Sequence, residues 1–139
     1  MIQREPIYAA LFALLAASGG YVTTSRRLLH WNDVDKTAQP ALFQAQRNEI
    51  SKIDTGKPTV WTLNVDIYVY VRTDGGAAPG PILNPLLDAI EAALAPAGSN
   101  VQTLGGLVHY ARIDGAIETD EGTLGDQAVA IIPISILCS

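Results

Sequence analysis

Residues 59–72, TVWTLNVDIYVYVR, decide how the rest of the chain is read. Taken with a period of two, Trp61, Leu63, Val65, Ile67, Val69 and Val71 share one face. Thr62, Asn64, Asp66, Tyr68, Tyr70 and Arg72 share the other. That alternation marks a strand buried on one side. At about 3.3 Å per residue it would run roughly 45 Å, whereas a compact chain of this length is roughly 35–40 Å across. The expectation is a strand that curls hard, or one that reaches past its own globule to meet another copy.

Immediately upstream, residues 41–53 (ALFQAQRNEISKI) are apolar at Phe43 and Ala45 and mostly polar over 44–52. They read as a second strand that leaves the core, joined to the long one by the turn at 54–58, DTGKP. Further back, residues 21–31 read as a short strand with Arg26-Arg27 at its start and Leu28, Leu29 and Trp31 as its apolar weight; residues 32–39 form a polar loop. Residues 4–18 read as a helix. Pro6 suits its first turn, Glu5 suits the positive end of its dipole, and Gly19-Gly20 stop it. Ile7, Leu11, Leu14 and Leu15 make its stripe, which Tyr8, Phe12 and several alanines widen until almost no polar face is left. Such a helix must be covered nearly all round, by its own sheet or by that and a neighbour's. Its apolar run resembles the core of a signal peptide. It is too short to span a bilayer, and Arg4 is balanced by Glu5, so no targeting role and no membrane are expected.

Downstream, residues 73–81 are loop by composition. Residues 84–94 read as a second helix capped by Asn84, with Pro85 in its first turn and Leu86, Leu87, Ile90 and Leu94 facing the core; it suits a crossover back to the sheet. Residues 101–117 read as strand with a kink at Gly105-Gly106, and 118–126 as an acidic turn. The closing stretch 128–137, AVAIIPISIL, is apolar on both faces, while Pro133 points to an edge or a bulge. An edge strand of that kind needs a cover, and a second subunit is one. The fold class expected is α+β: one domain over 1–139, with a mainly antiparallel or mixed sheet of about five strands and two helices packed on one face.

Candidate chemistry is thin. The chain is 48% hydrophobic and 17% charged with a formal net charge of −5, which argues against disorder and against a basic grip on nucleic acid. A single cysteine, Cys138, allows no intrachain disulfide and reads as a buried thiol. His30 and His109 lack metal-ligand spacing, and Asp33 and Asp35 read as loop caps. Glu118, Asp120, Glu121 and Asp126 miss the pattern of a calcium loop. The glycine pairs are not followed by phosphate-cradle residues. No enzyme, metal or cofactor is expected.

Taken in order, the N-terminal apolar helix, RRLLHWNDV, QPALFQAQ, WTLNVDIYVYV, LNPLLDAIEAAL and VHYARIDGAIE…QAVAIIPISI resemble the tail terminators of long-tailed bacteriophages, the lambda-type family. The resemblance covers nearly the whole chain through a series of stretches, with no single diagnostic motif. It implies a homohexameric ring in the virion, assembled in the host cytoplasm, at the head-proximal end of the tail. The ring would stop polymerisation of the tail tube protein and dock the head or neck connector. DNA would pass through it without specific binding, and an acidic wall suits that. On this reading Arg26, Arg27 and Arg47 are candidates to pair with Glu118, Asp120 and Glu121 of an adjacent subunit, and Tyr68 and Tyr70 offer amphipathic contact surface. Apolar surface left over on the closing strand and the opening helix would drive closure of the ring. Other readings are a different neck component, a head–tail joining or completion protein, and a monomeric ligand-binding domain with a concave pocket.

Overall fold

The computed structural model describes residues 1–96, 101–121 and 125–139. In chain order the elements are α1 (Arg4–Ala16), β1 (Thr23–Ser25), β2 (Ala41–Lys52), β3 (Val60–Arg72), α2 (Gly80–Leu94), β4 (Tyr110–Ile113), β5 (Glu118–Glu121) and β6 (Gln127–Cys138). The strands form one sheet in the order β1-β2-β3-β6-β4, and β5 pairs with β6 on the same side as β4, further along. β1 and β2 run parallel and every other pairing is antiparallel. This is an α+β fold with a mixed sheet, and both helices pack on it.

The period-two reading of β3 holds from Leu63 to Val69; Trp61 is only partly buried, and Tyr70 on the opposite face is buried. Leu63, Val65, Ile67, Val69 and Val71 are wholly buried and pack with Leu42 of β2, with Ile132, Ile134 and Ile136 of β6, and with Ile7, Tyr8, Leu11, Leu15, Leu83, Ile90 and Leu94 of the helices. Each such aliphatic side chain contributes about 1.5–3 kcal/mol by leaving water. β3 does not reach past its globule. It pairs with β2 from Val60 to Tyr70 and with β6 from Trp61 to Arg72, and both neighbours are 12 residues long, so they match its length.

The closing strand departs most from expectation. β6 is not an edge: it lies between β3 on one side and β4 and β5 on the other, and most of its residues are buried. Its helix-side residues are shielded inside one protomer, while Ile131, Pro133 and Leu137 on the other face are only half-buried. Pro133 is accommodated because β4 ends at Ile113 and β5 begins at Glu118. In that break the Pro133 carbonyl accepts the Asp114 amide at 3.1 Å, and the proline's missing N–H faces no ladder partner. Gly115 makes the turn there at φ +119°, and a Cβ on it would stand 3.3 Å from Pro133 Cγ.

Other boundaries moved for local reasons. α2 begins at Gly80, with the Pro79 carbonyl accepting both the Ile82 and Leu83 amides at 3.0 Å. The Pro-Gly-Pro run is therefore the helix start, where missing N–H groups cost nothing, and Pro85 lies inside the helix. Of 21–31 only Thr23–Ser25 is strand, because the chain then climbs over the sheet into a short turn of 3-10 helix at Trp31–Asp33, where His30 Nδ1 accepts the Asn32 amide at 3.1 Å. Of 101–117 only Tyr110–Ile113 is a strand; Leu104, Gly105 and Gly106 take positive φ in succession and curl the chain. Glu118–Glu121, expected as turn, is β5, and the rest of that expected turn at 122–124 lies outside the described residues. α2 joins β3 to β4, which run in the same direction with β6 inserted between them, so the expected crossover spans a gap of one strand.

Candidate interaction surface

The sheet has one face under the helices and one largely bare. On the bare face stand Ala41, Phe43 and Ala45 of β2, Thr62 to Arg72 at even numbers on β3, and Gln127 to Leu137 at odd numbers on β6. One end is roofed by the loop that carries Trp31, Val34 and Ala38, which pack with Ala41, Phe43, Tyr70 and Val129 into a second small core. The Tyr70 hydroxyl donates to the Leu29 carbonyl at 2.7 Å, and Gln127 Nε2 donates to the Trp31 carbonyl at 3.0 Å, pinning that roof down. Burial, helped by neighbouring Tyr68, pushes the Tyr70 phenol up to about 12. Beyond the roof, Tyr68, Asp66, Asn64, Ile131 and Pro133 are only half-buried. A shallow cleft of about 280 Å³ opens there between Arg47, Asp66, Asp114, Glu118, Ile131 and Pro133.

The eight residues expected at a subunit contact do not stay together. Arg47, Tyr68, Glu118 and Asp120 gather on the bare face. Arg47 Nη1 is 3.6 Å from Asp66 Oδ1, Tyr68 meets Tyr70 edge-on at 6.5 Å, and β5 places Glu118 and Asp120 beside Ile131 and Val129. Arg27 is exposed just after β1. Arg26 and Tyr70 are held within the protomer, and Glu121 is exposed. Arg26 is bidentate to Glu5, at 2.6 and 2.9 Å, with Gln46 Oε1 at 3.4 Å. Tyr70 is 3% exposed. Glu121 points to the helix side, with Oε2 against Gly80 at the start of α2.

Two features escaped the pattern reading. Gln44, counted with the polar stretch, is buried, and its Nε2 donates to the Tyr8 carbonyl at 3.0 Å, so it fastens β2 to α1. Glu49 takes hydrogen bonds from Arg4 Nε at 2.6 Å and from the Tyr8 hydroxyl at 2.7 Å, while the Arg4 guanidinium lies 4.8 Å above the Trp61 ring. Burial pushes the Glu49 carboxyl up, but those two hydrogen bonds and the Arg4 charge outweigh it, and its pKa lies below the usual value. Arginine and glutamate spaced 45 residues apart leave no local signal of this. Cys138 is buried, and burial first, then the charge of Glu49, raises its thiol, so it is protonated at neutral pH.

The flanks of the sheet complete the surface. β1 covers only Ala41–Phe43 of β2, so among the described residues no strand lies outside β2 from Gln44 to Lys52. Ile50 on that stretch is 59% exposed, and Ile53 just beyond it is 76% exposed. Among the described residues no group of three His, Cys, Asp or Glu side chains could hold a metal ion, and no helix is long and apolar enough to cross a membrane. No protein-family model matches the chain, and no characterised protein matches it either.

Proposed function

We propose that this chain is a structural virion protein, a tail terminator that forms a homohexameric ring on the head-proximal end of a phage tail tube. The observation that carries the reading is the open flank of β2 from Gln44 to Lys52, with Ile50 and Ile53 exposed along and beside it. A long unpaired strand edge bearing apolar side chains is a pairing template, and a partner is one way to cover it, beside the charges and the bulge between Gln46 and Asn48 that this edge also carries. The bare half-apolar face beside it offers protein contact and brings no nucleophile, base and orienting group together. The terminator role itself rests on the ordered series of stretches that resemble that family. In this role the ring stops addition of tube protein and presents its far side to the neck connector. The net charge of −5 suits a ring that lets DNA pass without holding it.

The test is to add the purified protein to polymerising tube protein from the same phage and to image the products by negative-stain electron microscopy. Tubes capped at one end by a sixfold ring, and shorter on average than without it, are the expected result. Tubes of unchanged length with bare ends would overturn the terminator reading.

A further inference from the structure

We propose that copies of this chain join head to tail by continuing the sheet, the β1 flank of one protomer docking on the β5 flank of the next. The proposal deepens the ring reading by naming its contact, and it stands on three observations about the two flanks.

The first is level. β1 lies beside Ala41–Phe43, which pair with Tyr68–Tyr70 of β3, and these pair with Val129–Ile131 of β6. β5 lies beside Ala128–Ile131. The two flanking strands, three and four residues long, therefore sit at the same height on opposite sides of one sheet. The second is direction. β1 runs with β2, and β5 runs against β6, so β1 and β5 point in opposite directions. A second copy set beside the first in the same orientation brings β1 against β5 as an antiparallel pair, with helix face continuing helix face.

The third is shape and charge. Past β1 the β1 flank steps inward by one strand, leaving a notch along Gln44–Lys52. On the opposite flank a step protrudes by one strand: Gln102 bridges to the outer side of Ala111, whose amide donates to the Gln102 carbonyl at 2.8 Å. Ala111 is level with Ile136, Leu63 and Glu49, so the protrusion stands at the height of the notch. The β1 flank carries the exposed Arg27 two residues past Ser25, and the β5 flank carries the exposed Glu118, which the register sets at the level of Ser25. Opposite charges across such a contact favour this partner and orientation over an edge paired with itself. A contact between two different patches is heterologous, and it closes into a ring when the rotation per copy divides a full turn.

The register makes one residue pair diagnostic. Thr24 pairs with Leu42 and Thr119 with Ala130, both on the helix face and both at the level of Val69. Both threonines are exposed. Thr24→Cys and Thr119→Cys on neighbouring copies would face each other at disulfide distance, while the native Cys138 stays buried. Mild oxidation of the doubly substituted protein, run on a denaturing gel without reductant, should give a ladder of multimers. Mixing the two single variants should give dimers only. Self-crosslinking of either single variant would mean a symmetric edge contact and would overturn the proposal. A hexameric particle by light scattering with no crosslink would overturn the edge contact and leave the ring reading standing. A ladder running well past six would support the edge contact and overturn the closed hexamer. A protein that is monomeric and uncrosslinked at every concentration would overturn both. Arg27→Glu should weaken association at least tenfold, and Glu118→Lys added to it should restore most of that loss; failure of the rescue would count against the charge pairing.

Discussion

Truncating Ile132 to alanine tests whether β6 is interior. Ile132 is fully buried at the centre of β6, opposite Ile67 on the helix face. The change removes three carbons worth about 0.8 kcal/mol each in transfer free energy. The cavity left in a site framed by two long strands and the helix layer brings the cost to about 3–4 kcal/mol. With a urea slope of about 1.5 kcal/mol/M, the unfolding midpoint should fall by about 2 M. The melting temperature should fall by roughly 10–15 °C. Both are to be measured by circular dichroism at one fixed protein concentration, because assembly would add its own stabilisation. Ile50→Ala is the companion variant. Ile50 is 59% exposed, and its truncation should cost less than about 0.5 kcal/mol in dilute protein. If Ile132→Ala cost under about 1 kcal/mol, or no more than Ile50→Ala, β6 could not be sheathed within the protomer, and the reasoning that moves the assembly surface to the sheet flanks would fail.

Three further outcomes follow from the packing. Tyr70→Phe removes the hydroxyl bond to the Leu29 carbonyl and should cost about 1–1.5 kcal/mol, with faster proteolysis in the 28–39 loop. Because burial raises the Tyr70 phenol to about 12, its neutral form stabilises the fold below the ordinary value near 10, and that stabilisation is lost as pH rises through 12; the wild type should lose more stability across that alkaline window than Tyr70→Phe. Glu49 has a lowered pKa, so its contribution is present above the ordinary carboxyl value and is lost as pH falls through the folded one. Glu49→Gln should therefore flatten the acid limb of a plot of melting temperature against pH, and an unchanged limb would remove Glu49 from the account. Gly115→Ala meets both a left-handed φ and the Pro133 ring, and should cost about 1–3 kcal/mol by urea unfolding.

Periodicity carried the sequence reading where burial is one-sided. β3 alternates because its two faces see different surroundings, helices on one and an incomplete roof on the other, and the alternation breaks at Tyr70, where the roof covers it. β6 was legible as apolar on both faces, but its place in the sheet was not. Pro133 points to an edge unless one knows that the adjoining strand breaks opposite it, and that break depends on residues 19 positions earlier in the chain, at Asp114. α2 began early because Pro79, Gly80 and Pro81 are loop formers by composition yet harmless in a first helical turn. The candidate surface was legible in residue type and not in allegiance. Arg26 and Tyr70 found partners 21 and 41 residues away within their own chain, and no local spacing encodes such contacts.

The solution mass of the purified protein tests the central claim most directly. Light scattering across a hundredfold range of concentration should converge on six times the 14.8 kDa protomer mass as the sheet flanks become occupied. A mass that stays at one protomer across the whole range, with the flank of β2 therefore bare in the working protein, would contradict the account.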